Sequence, residues 1–537
     1  PPALAIPDDT PSEEEAREQQ YVRLKGDGLD LAHLASFLDD VLGLGVAAFS
    51  PRGTAQVEFT LETREVAGQE DETQTERGPM LATCDIQVSG GGFATESGMT
   101  LGDKLAFRIG LEYSLEEDSQ LILSAGVSTG EMLLSGVTYI NYANTALGAT
   151  LVGRPRFGDN LSFPSIRFIV GLKHHGRAVY TGSASFGKDG PSIKGELAVS
   201  NADLATLFAT FLRDKLSINN PGLAGMVIEG QATLDCRLDH SPSGTTVKGR
   251  ADVASGTLGL GDEGEDVVLT DLNLALPFEY DFHDQVRPAT TPPPQDQWGV
   301  LVAGEVKLPT GDMGAINVPL VISGNTLFTG TDLLVPALNG VIVLSGLTVA
   351  NPLSGDFALN GLAHLEEIDF SSIESGIPME GSIGGPLGRV SLDAELLNVE
   401  LDLEGSFYGG SLLVRDIAVE RPLDADRRIM ADITAERMHF DRISEALGIG
   451  VITGRLNVSI EDLVMAYGQP AAFRLTAMSE EVDDVDQEIS LKAVNSIAVM
   501  GNGSGFTDVG VGVFASFFET FAYDEIGIAC DLERDVF

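Results

Sequence analysis

The chain has 537 residues, of which 43% are hydrophobic and 21% are charged, a composition typical of globular proteins. Its formal net charge is −47. A surface this acidic repels nucleic-acid phosphates and anionic lipid headgroups, so the charge argues against DNA binding, RNA binding and peripheral membrane binding.

The N-terminal segment, residues 1–20, is predicted to be a flexible acidic tether because it is rich in proline and glutamate. The chain starts at Pro1 without a methionine, so we expect a fragment or processed form of a longer protein. An N-terminal anchor or signal could then have been lost. No stretch of the sequence approaches the roughly 20 continuous apolar residues that span a bilayer.

Beyond residue 20, most segments alternate apolar and polar residues, which predicts β-strands with one apolar face. We expect this face to be lined in four strands by Leu105, Phe107, Ile109, Leu111 and, further along, Tyr113 and Leu115; by Leu234, Cys236 and Leu238; by Leu397, Val399, Leu401 and Leu403; and by Ile452, Leu456, Val458 and Ile460. Many of the 62 glycines fall inside such segments, where they predict bulges and strong twist.

Helical periodicity is confined to a few segments, and each begins at an aspartate, which is a good N-cap residue. We expect helices near 30–43 after Asp30, near 203–217 after Asp203, after Asp441, and in degenerate form after Asp369. Glycines suited to helix ends are Gly43, Gly222 and Gly448. An amphipathic strand follows each helix, but the irregular spacing argues against a solenoid.

Four segments are therefore expected along the chain. The tether (1–20) precedes a β-groove segment (21–282), a proline-rich surface connection (283–299) and a second β-groove segment (300–537). The fold class predicted is mainly β, with a few short helices and a long, twisted, curved antiparallel sheet that forms an elongated groove with an apolar interior.

We find no pattern typical of an enzyme, and we expect no catalytic residue, metal or cofactor. Adjacent His174 and His175 would point to opposite faces of a strand and could not share a metal. The GxGxxG at Gly259–Gly264 continues as a strand, whereas a dinucleotide fingerprint needs a helix. The acidic residues at 480–488 lack the ligand spacing of an EF-hand.

The three cysteines, Cys84, Cys236 and Cys530, occupy the apolar phase of their strands. We interpret them as small hydrophobic residues of an apolar lining. Three cysteines in this pattern do not distinguish a reducing from an oxidising compartment.

An apolar sheet face must be covered by a second sheet or by a hydrocarbon ligand. Moving an unshielded acyl chain of about 16 carbons through water would cost roughly 12 kcal/mol of free energy, at about 0.8 kcal/mol per methylene. A groove of on the order of 30 strands would extend roughly 140 Å, which suits a conduit better than a single-molecule carrier. We expect Leu401, Leu403, Leu456 and Val458 to touch acyl chains.

The C-terminal third resembles a known family. The segment Ile433–Leu463 resembles the helix and GxL-strand signature of AsmA-like proteins, and Ile489–Phe506 with Ile526–Phe537 resembles the C-terminal domain of YdbH-type (TamB-like) members. The resemblance covers about Gly361–Phe537. It implies a periplasmic β-groove of a diderm bacterium, tethered at the inner membrane through an anchor not seen in this chain, that carries phospholipid toward the outer membrane.

The resemblance also implies a partner, a small outer-membrane lipoprotein at the C-terminal end. Unpaired strand edges can bind another chain by strand addition. We expect this edge at Ile526, Ile528, Cys530 and Leu532.

Other functions are open. A structural or adhesive stack of β-sandwiches would pair its apolar faces without ligand, and an envelope-assembly factor of the translocation type could share the groove. An outer-membrane barrel is disfavoured because aromatic residues make up only 7% of the chain, with Trp298 as the single tryptophan.

Overall fold

The computed structural model describes most of the chain. The described residues are 21–42, 46–63, 80–114, 119–134, 138–143, 145–158, 161–173, 175–187, 190–213, 225–261, 267–283, 286–308, 311–337, 339–354, 356–372, 377–393, 395–422, 427–483, 485–502 and 520–533. The tether, Gly43, Leu115, His174, Gly222 and Gly264, for which the sequence made predictions, lie outside these ranges.

Twenty-nine strands are found in the described residues. The first thirteen are β1 (Tyr21–Asp30), β2 (Thr54–Thr63), β3 (Met80–Ala94), β4 (Leu101–Ser114), β5 (Leu121–Leu134), β6 (Thr138–Asn141), β7 (Leu147–Gly153), β8 (Leu161–Leu172), β9 (Gly176–Gly187), β10 (Gly190–Asp203), β11 (Val227–Ser241), β12 (Gly244–Leu260) and β13 (Val267–Asp281). The remainder are β14 (Gly299–Leu308), β15 (Gly311–Ser323), β16 (Thr326–Thr329), β17 (Leu333–Ala337), β18 (Gly340–Ala350), β19 (Ala358–Asp369), β20 (Gly381–Leu392), β21 (Leu396–Glu400), β22 (Leu403–Phe407), β23 (Gly410–Glu420), β24 (Arg428–His439), β25 (Arg455–Ala466), β26 (Gln469–Glu480), β27 (Glu488–Ser490), β28 (Thr520–Ala522) and β29 (Gly527–Leu532).

Helices in the described part of the chain are few and short. They are α1 (Leu31–Leu42), α2 (Leu204–Leu207) with a π-helical continuation (Phe208–Leu212), α3 (Phe440–Ala446) and α4 (Leu491–Asn502), with 3₁₀ turns at Val46–Phe49, Gln295–Gln297 and Phe370–Ser372.

The predicted fold class is confirmed. Twenty-seven strands form one long antiparallel sheet that is not closed into a barrel, and β27 and β28 form a separate two-stranded sheet. Within the described residues, one parallel bridge joins Phe278 and Ile322.

The chain divides into two compact units, described separately below. Unit 1 comprises Pro1–Lys215, Gly230–Ala251 and Asp281–Asp284; unit 2 comprises Leu216–Glu229, Asp252–Tyr280 and Gln285–Phe537.

Unit 1 is an antiparallel meander in which β5 pairs with both β6 and β7. Strands β1 and β10 run in the same direction. The helices that follow them, α1 and α2, therefore begin at the same end of the strands. Phe211, just after α2, nevertheless packs with Leu105 of β4 and Ile140 of β6. Since several strands separate β10 from β4, the sheet of unit 1 must curve.

Bulges contribute to this curvature because each adds local twist. The sequence prediction for glycine is confirmed in β1 and β3, where Gly28 (φ 71°) and Gly90 (φ 70°) lie at register shifts. Residues other than glycine do the same, as at Lys104 (φ 50°) in β4 and Asp462 (φ 53°) in β25. The sequence held no signal for these two.

In unit 2, strands β18 to β26 form a second meander that ends at β29. Strands β19, β24 and β26 run in the same direction. The elements that follow them therefore lie at the same end of the strands: the 3₁₀ turn Phe370–Ser372, α3 and the segment that contains α4. They cover the main core cluster of this unit, in which Ile452 and Ala493 are fully buried and Met438 is 2% exposed.

Two local predictions in unit 2 are wrong. Helix α3 begins at Phe440 with His439 as its N-cap, so Asp441 lies in the first turn and does not cap the helix. Strand β25 begins at Arg455, and Ile452 instead forms an isolated bridge with Ile489. Gly448, in contrast, ends α3 with φ 67° as predicted.

Candidate functional site: an apolar cavity beneath helix α1

An apolar cavity of about 460 Å³ lies in unit 1 between α1 and the sheet. Among the described residues of its lining, Thr100 contributes the one polar side chain. The lining residues are Leu31, Leu34, Ala35, Phe49, Pro51, Ile86, Gly92, Phe93, Thr100, Leu105, Phe107, Ile109, Met132 and Leu134. Pockets of roughly 300–1,000 Å³ with mainly apolar walls are typical of small-molecule sites.

The roof of the cavity is positioned by the N-cap that the sequence predicts. The Asp30 carboxylate accepts hydrogen bonds from the backbone N–H groups of Ala32 (2.9 Å) and His33 (3.1 Å). The capped helix packs Leu31 against Ala55 and Val88. Leu34, one turn further, faces the cavity.

The 3₁₀ turn Val46–Phe49 forms one wall. The backbone N–H of Ala47 donates to Asp39 Oδ2 (2.7 Å), which ties the turn to α1. The ring of Phe49 packs edge-on against Phe93 with centroids 6.1 Å apart, although Phe49 remains 46% exposed. Phe49 therefore stands at the mouth of the cavity.

A close backbone approach completes this wall. Gly53 adopts φ 112°, and a Cβ there would lie 3.2 Å from Gly91 Cα. One residue earlier, Arg52 exchanges backbone hydrogen bonds with Gly92 (2.7 and 2.9 Å). Glycine at 53 and 91 lets the two backbones meet beside Leu31.

The floor comes from the apolar phase predicted for β4. Leu105 is 5% exposed, and Phe107 and Ile109 are half-buried. All three line the cavity. Leu111 lies on the same apolar face of β4 beyond the cavity, paired with Cys84 of β3. Burial raises the pKa of the Cys84 thiol.

Leu105 also belongs to a buried cluster against which the segment after α2 packs. Phe211 packs there with Ile140 and Tyr142, and its ring lies 6.1 Å from that of His175. His175 Nδ1 donates to Lys173 O (2.8 Å), and Nε2 forms a hydrogen bond with Thr210 Oγ1 (3.0 Å). Buried and hydrogen-bonded on both nitrogens, His175 has a structural role.

The residues predicted in β11 do not reach this cavity. Leu234 and Leu238 are half-buried and Cys236 is buried, while their neighbours Asp235 and Arg237 are exposed. The alternation is thus present in β11. Burial raises the pKa of the Cys236 thiol, which favours the neutral form.

In unit 2 the predicted lining residues are covered to different extents. Leu397 and Val399 lie half-buried in β21, and Leu403 lies half-buried in β22. Leu401 falls between the two strands and is 7% exposed. Cβ atoms at Gly385 or Gly388 would clash with Leu401, so its side chain rests on these glycines.

In strand β25, too, the predicted lining residues are buried to different extents. Leu456 is 8% exposed and belongs to the core cluster with Met438 and Ile452. Val458 and Ile460 are half-buried further along the strand. The side chains expected to touch acyl chains thus include two, Leu401 and Leu456, that other protein groups already cover.

The predicted partner edge, β29, pairs with β26: Leu532 lies opposite Phe473 at one end of the pairing, and Gly527 lies opposite Met478 at the other. Among the described strands it has no other neighbour. Ile528 is 52% exposed, Cys530 is half-buried and Leu532 is 4% exposed. Ile526 packs on the core cluster and its N–H donates to Ser479 Oγ (2.9 Å).

The sequence thus identified the floor of the cavity but not its closure. Phe49, Phe93 and Met132 were missed because they lie on separate elements that only the curved sheet brings together. The apolar stripe of α1 was the available signal, since an amphipathic helix must cover an apolar surface.

In the described part of the chain, no three histidine, cysteine or carboxylate side chains are grouped so as to hold a metal ion. The described helices include none with the length and hydropathy required to cross a bilayer. Comparisons with protein-family models, with curated proteins and with solved structures give no match to this chain.

Proposed function

We propose that this protein is a lipid-transport bridge that shields phospholipid acyl chains in the apolar concave face of its sheet. The main observation in support is the apolar cavity beneath α1, whose floor is part of the half-buried apolar face of β4. Such a surface receives hydrocarbon without any catalytic residue.

The size of the cavity supports an acyl-chain segment as its occupant. A dry cavity of about 150 Å³ accommodates benzene, so about 460 Å³ corresponds to roughly three such volumes. Each methylene transferred from water contributes about 0.8 kcal/mol. A neighbouring stretch of half-buried side chains would receive the rest of the chain.

The cellular setting rests on the resemblance to AsmA-like and YdbH-type proteins. We place the protein in the periplasm of a diderm bacterium, tethered to the inner membrane. A small outer-membrane lipoprotein would add a strand to β29, whose outer edge has no described neighbour.

A second candidate is a structural role without ligand. The filled core cluster of unit 2, with Ile452 and Ala493 fully buried, favours it for that unit. The cavity of unit 1 favours transport.

A photo-crosslinking experiment tests the proposal. A photoreactive amino acid at Ile109, which lines the cavity, should capture phospholipid in cells and in vesicle incubations. The matched control is Glu112, which is exposed on the same strand. Equal labelling at both positions, or none at Ile109, would contradict lipid binding.

A further inference from the structure

Exposed apolar side chains lie at the end of the unit 1 strands opposite α1 and α2. Phe157 is 74% exposed in the connection between β7 and β8. Leu161 at the start of β8 and Phe186 near the end of β9 are also exposed. Large apolar side chains that are exposed as a group mark a binding surface, whereas single ones are ordinary.

The strand register brings these three side chains onto one face. Arg156 and Ser162 exchange backbone hydrogen bonds (2.7 and 3.0 Å) across the β7–β8 connection. The next residues toward its tip are Phe157 and Leu161, and both lie on the opposite face. Leu161 in turn pairs with Phe186 of β9. Paired residues of antiparallel strands share a face, so Phe157, Leu161 and Phe186 form one apolar rim.

Neighbouring rings hold the two phenylalanines of the rim in place. Phe157 packs edge-on against Tyr113, with ring centroids 6.3 Å apart. Phe186 packs edge-on against Phe163 at 6.4 Å, and Phe163 is itself buried in a core cluster. The exposed rings are therefore positioned by the fold before any partner binds.

The other face of the sheet is polar at the same end of the strands. Arg156 is exposed there. The bridge to Ser162 and the pairing of Ser162 with Ser185 and of Ser185 with Ser192 continue this face as a row of hydroxyls. All three serines line a cavity of about 370 Å³. Guanidinium and hydroxyl groups both donate hydrogen bonds to phosphate oxygens.

We propose that the apolar rim inserts into the surface of a zwitterionic phospholipid bilayer, with its side chains among the acyl chains and Arg156 among the phosphates. Phenylalanine and leucine on one face with arginine on the other is the pattern of elements that lie in a membrane interface. The net charge of −47 repels anionic headgroups, so the rim binds a surface without net charge. This inference goes beyond the proposed function, because a protein can bind a bilayer without carrying lipid.

The test places a fluorescent reporter in the rim of the full chain. Trp298 is the single tryptophan, so Trp298→Phe with Phe157→Trp leaves one reporter at the rim. This variant is mixed with phosphatidylcholine vesicles whose acyl chains are either plain or brominated, since bromine quenches tryptophan on contact. We expect the emission to shift to the blue in plain vesicles and to lose intensity in brominated ones.

Two controls complete the design. Trp298→Phe with Tyr467→Trp puts the reporter at an equally exposed position, 77% in the turn between β25 and β26 of unit 2, and should show no quenching. In the wild-type background, Phe157→Ser should lower the vesicle-bound fraction in flotation by about tenfold, since a buried phenylalanine ring contributes that order of partitioning. Thermal unfolding checks that each variant is folded.

The outcomes separate this proposal from the transport proposal. Equal quenching at positions 157 and 467, or none at 157, would overturn insertion of the rim. A dimer in light scattering that Phe157→Ser abolishes, without quenching by vesicles, would assign the rim to a second copy and would likewise overturn it. Crosslinking of lipid at Ile109 is scored independently, so its absence beside a quenched rim would overturn lipid transport alone.

Discussion

Single residues decide how closely neighbouring strands and side chains meet in this sheet. Gly182 of β9 lies opposite Gly195 of β10, and the Tyr180 ring extends across the pair. Tyr180 Oη donates to Ser183 O (2.9 Å). The ring covers backbone that two glycines would otherwise leave bare, and it belongs to the buried cluster around Phe163.

Gly182→Ala should destabilise unit 1. An added Cβ would lie 2.3 Å from Lys194 O and 2.4 Å from Tyr180 Oη, so the backbone or the ring must move. We expect a loss of roughly 1–3 kcal/mol, the usual cost of overpacking. Urea unfolding followed by tyrosine fluorescence measures it.

The control is Gly171→Ala in the adjacent strand β8. A Cβ at Gly171 meets no atom within 4 Å, and the backbone there has no positive φ. This variant should unfold at the urea concentration of the wild type or above it, because alanine lowers the entropy of the unfolded chain. Equal losses in both variants would show that the ring does not depend on Gly182.

Elements follow a recurring pattern in which a helix occupies the connection between two antiparallel strands. Helix α1 joins β1 to β2, α2 precedes β11, and α3 joins β24 to β25. Asp30 and Asp203 cap their helices as predicted, whereas His439 precedes α3 without a side-chain cap. The sequence located these helices because an aspartate cap and an apolar stripe are both local features.

Asp203→Ala should destabilise unit 1 by about 1 kcal/mol, the usual cost of a lost N-cap. The backbone N–H of Thr206 donates to Asp203 Oδ1 (2.9 Å), and this bond lowers the pKa of the carboxyl from its ordinary 3.8. The stabilisation is therefore complete above this value and is lost as the pH falls through the lower pKa of the folded state.

Urea unfolding of wild type and Asp203→Ala at neutral and strongly acidic pH checks this prediction. The difference between them should shrink in acid. Glu112→Ala, which removes an exposed carboxylate of β4, should show little difference at either pH. An undiminished gap in acid would mean that the carboxylate charge does not stabilise α2.

At the scale of the whole molecule, the net charge of −47 opposes folding through self-repulsion. Exposed ion pairs such as Arg237–Glu196 (3.7 Å) and Lys194–Asp239 (2.7 Å) offset little of it. Added salt should therefore stabilise the protein more than is usual for a neutral one.

Raising sodium chloride from a few millimolar to about 0.15 M shortens the Debye length to about 8 Å, and the thermal midpoint should rise. Differential scanning calorimetry measures the shift. Potassium chloride at the same ionic strength should give the same result, because the effect is screening. A constant midpoint would show that the carboxylates are spaced widely enough not to repel.

The sequence by itself determined the fold class, the faces of the strands and two helix caps. A period of two places Ile109 and Leu456 on apolar faces with equal clarity, because alternation depends only on the local backbone. What lies opposite that face depends on residues far away in the chain. Only the tertiary structure decided that Ile109 borders a cavity while Leu456 is packed beneath Ile452, since curvature and the connecting helices bring those distant groups together.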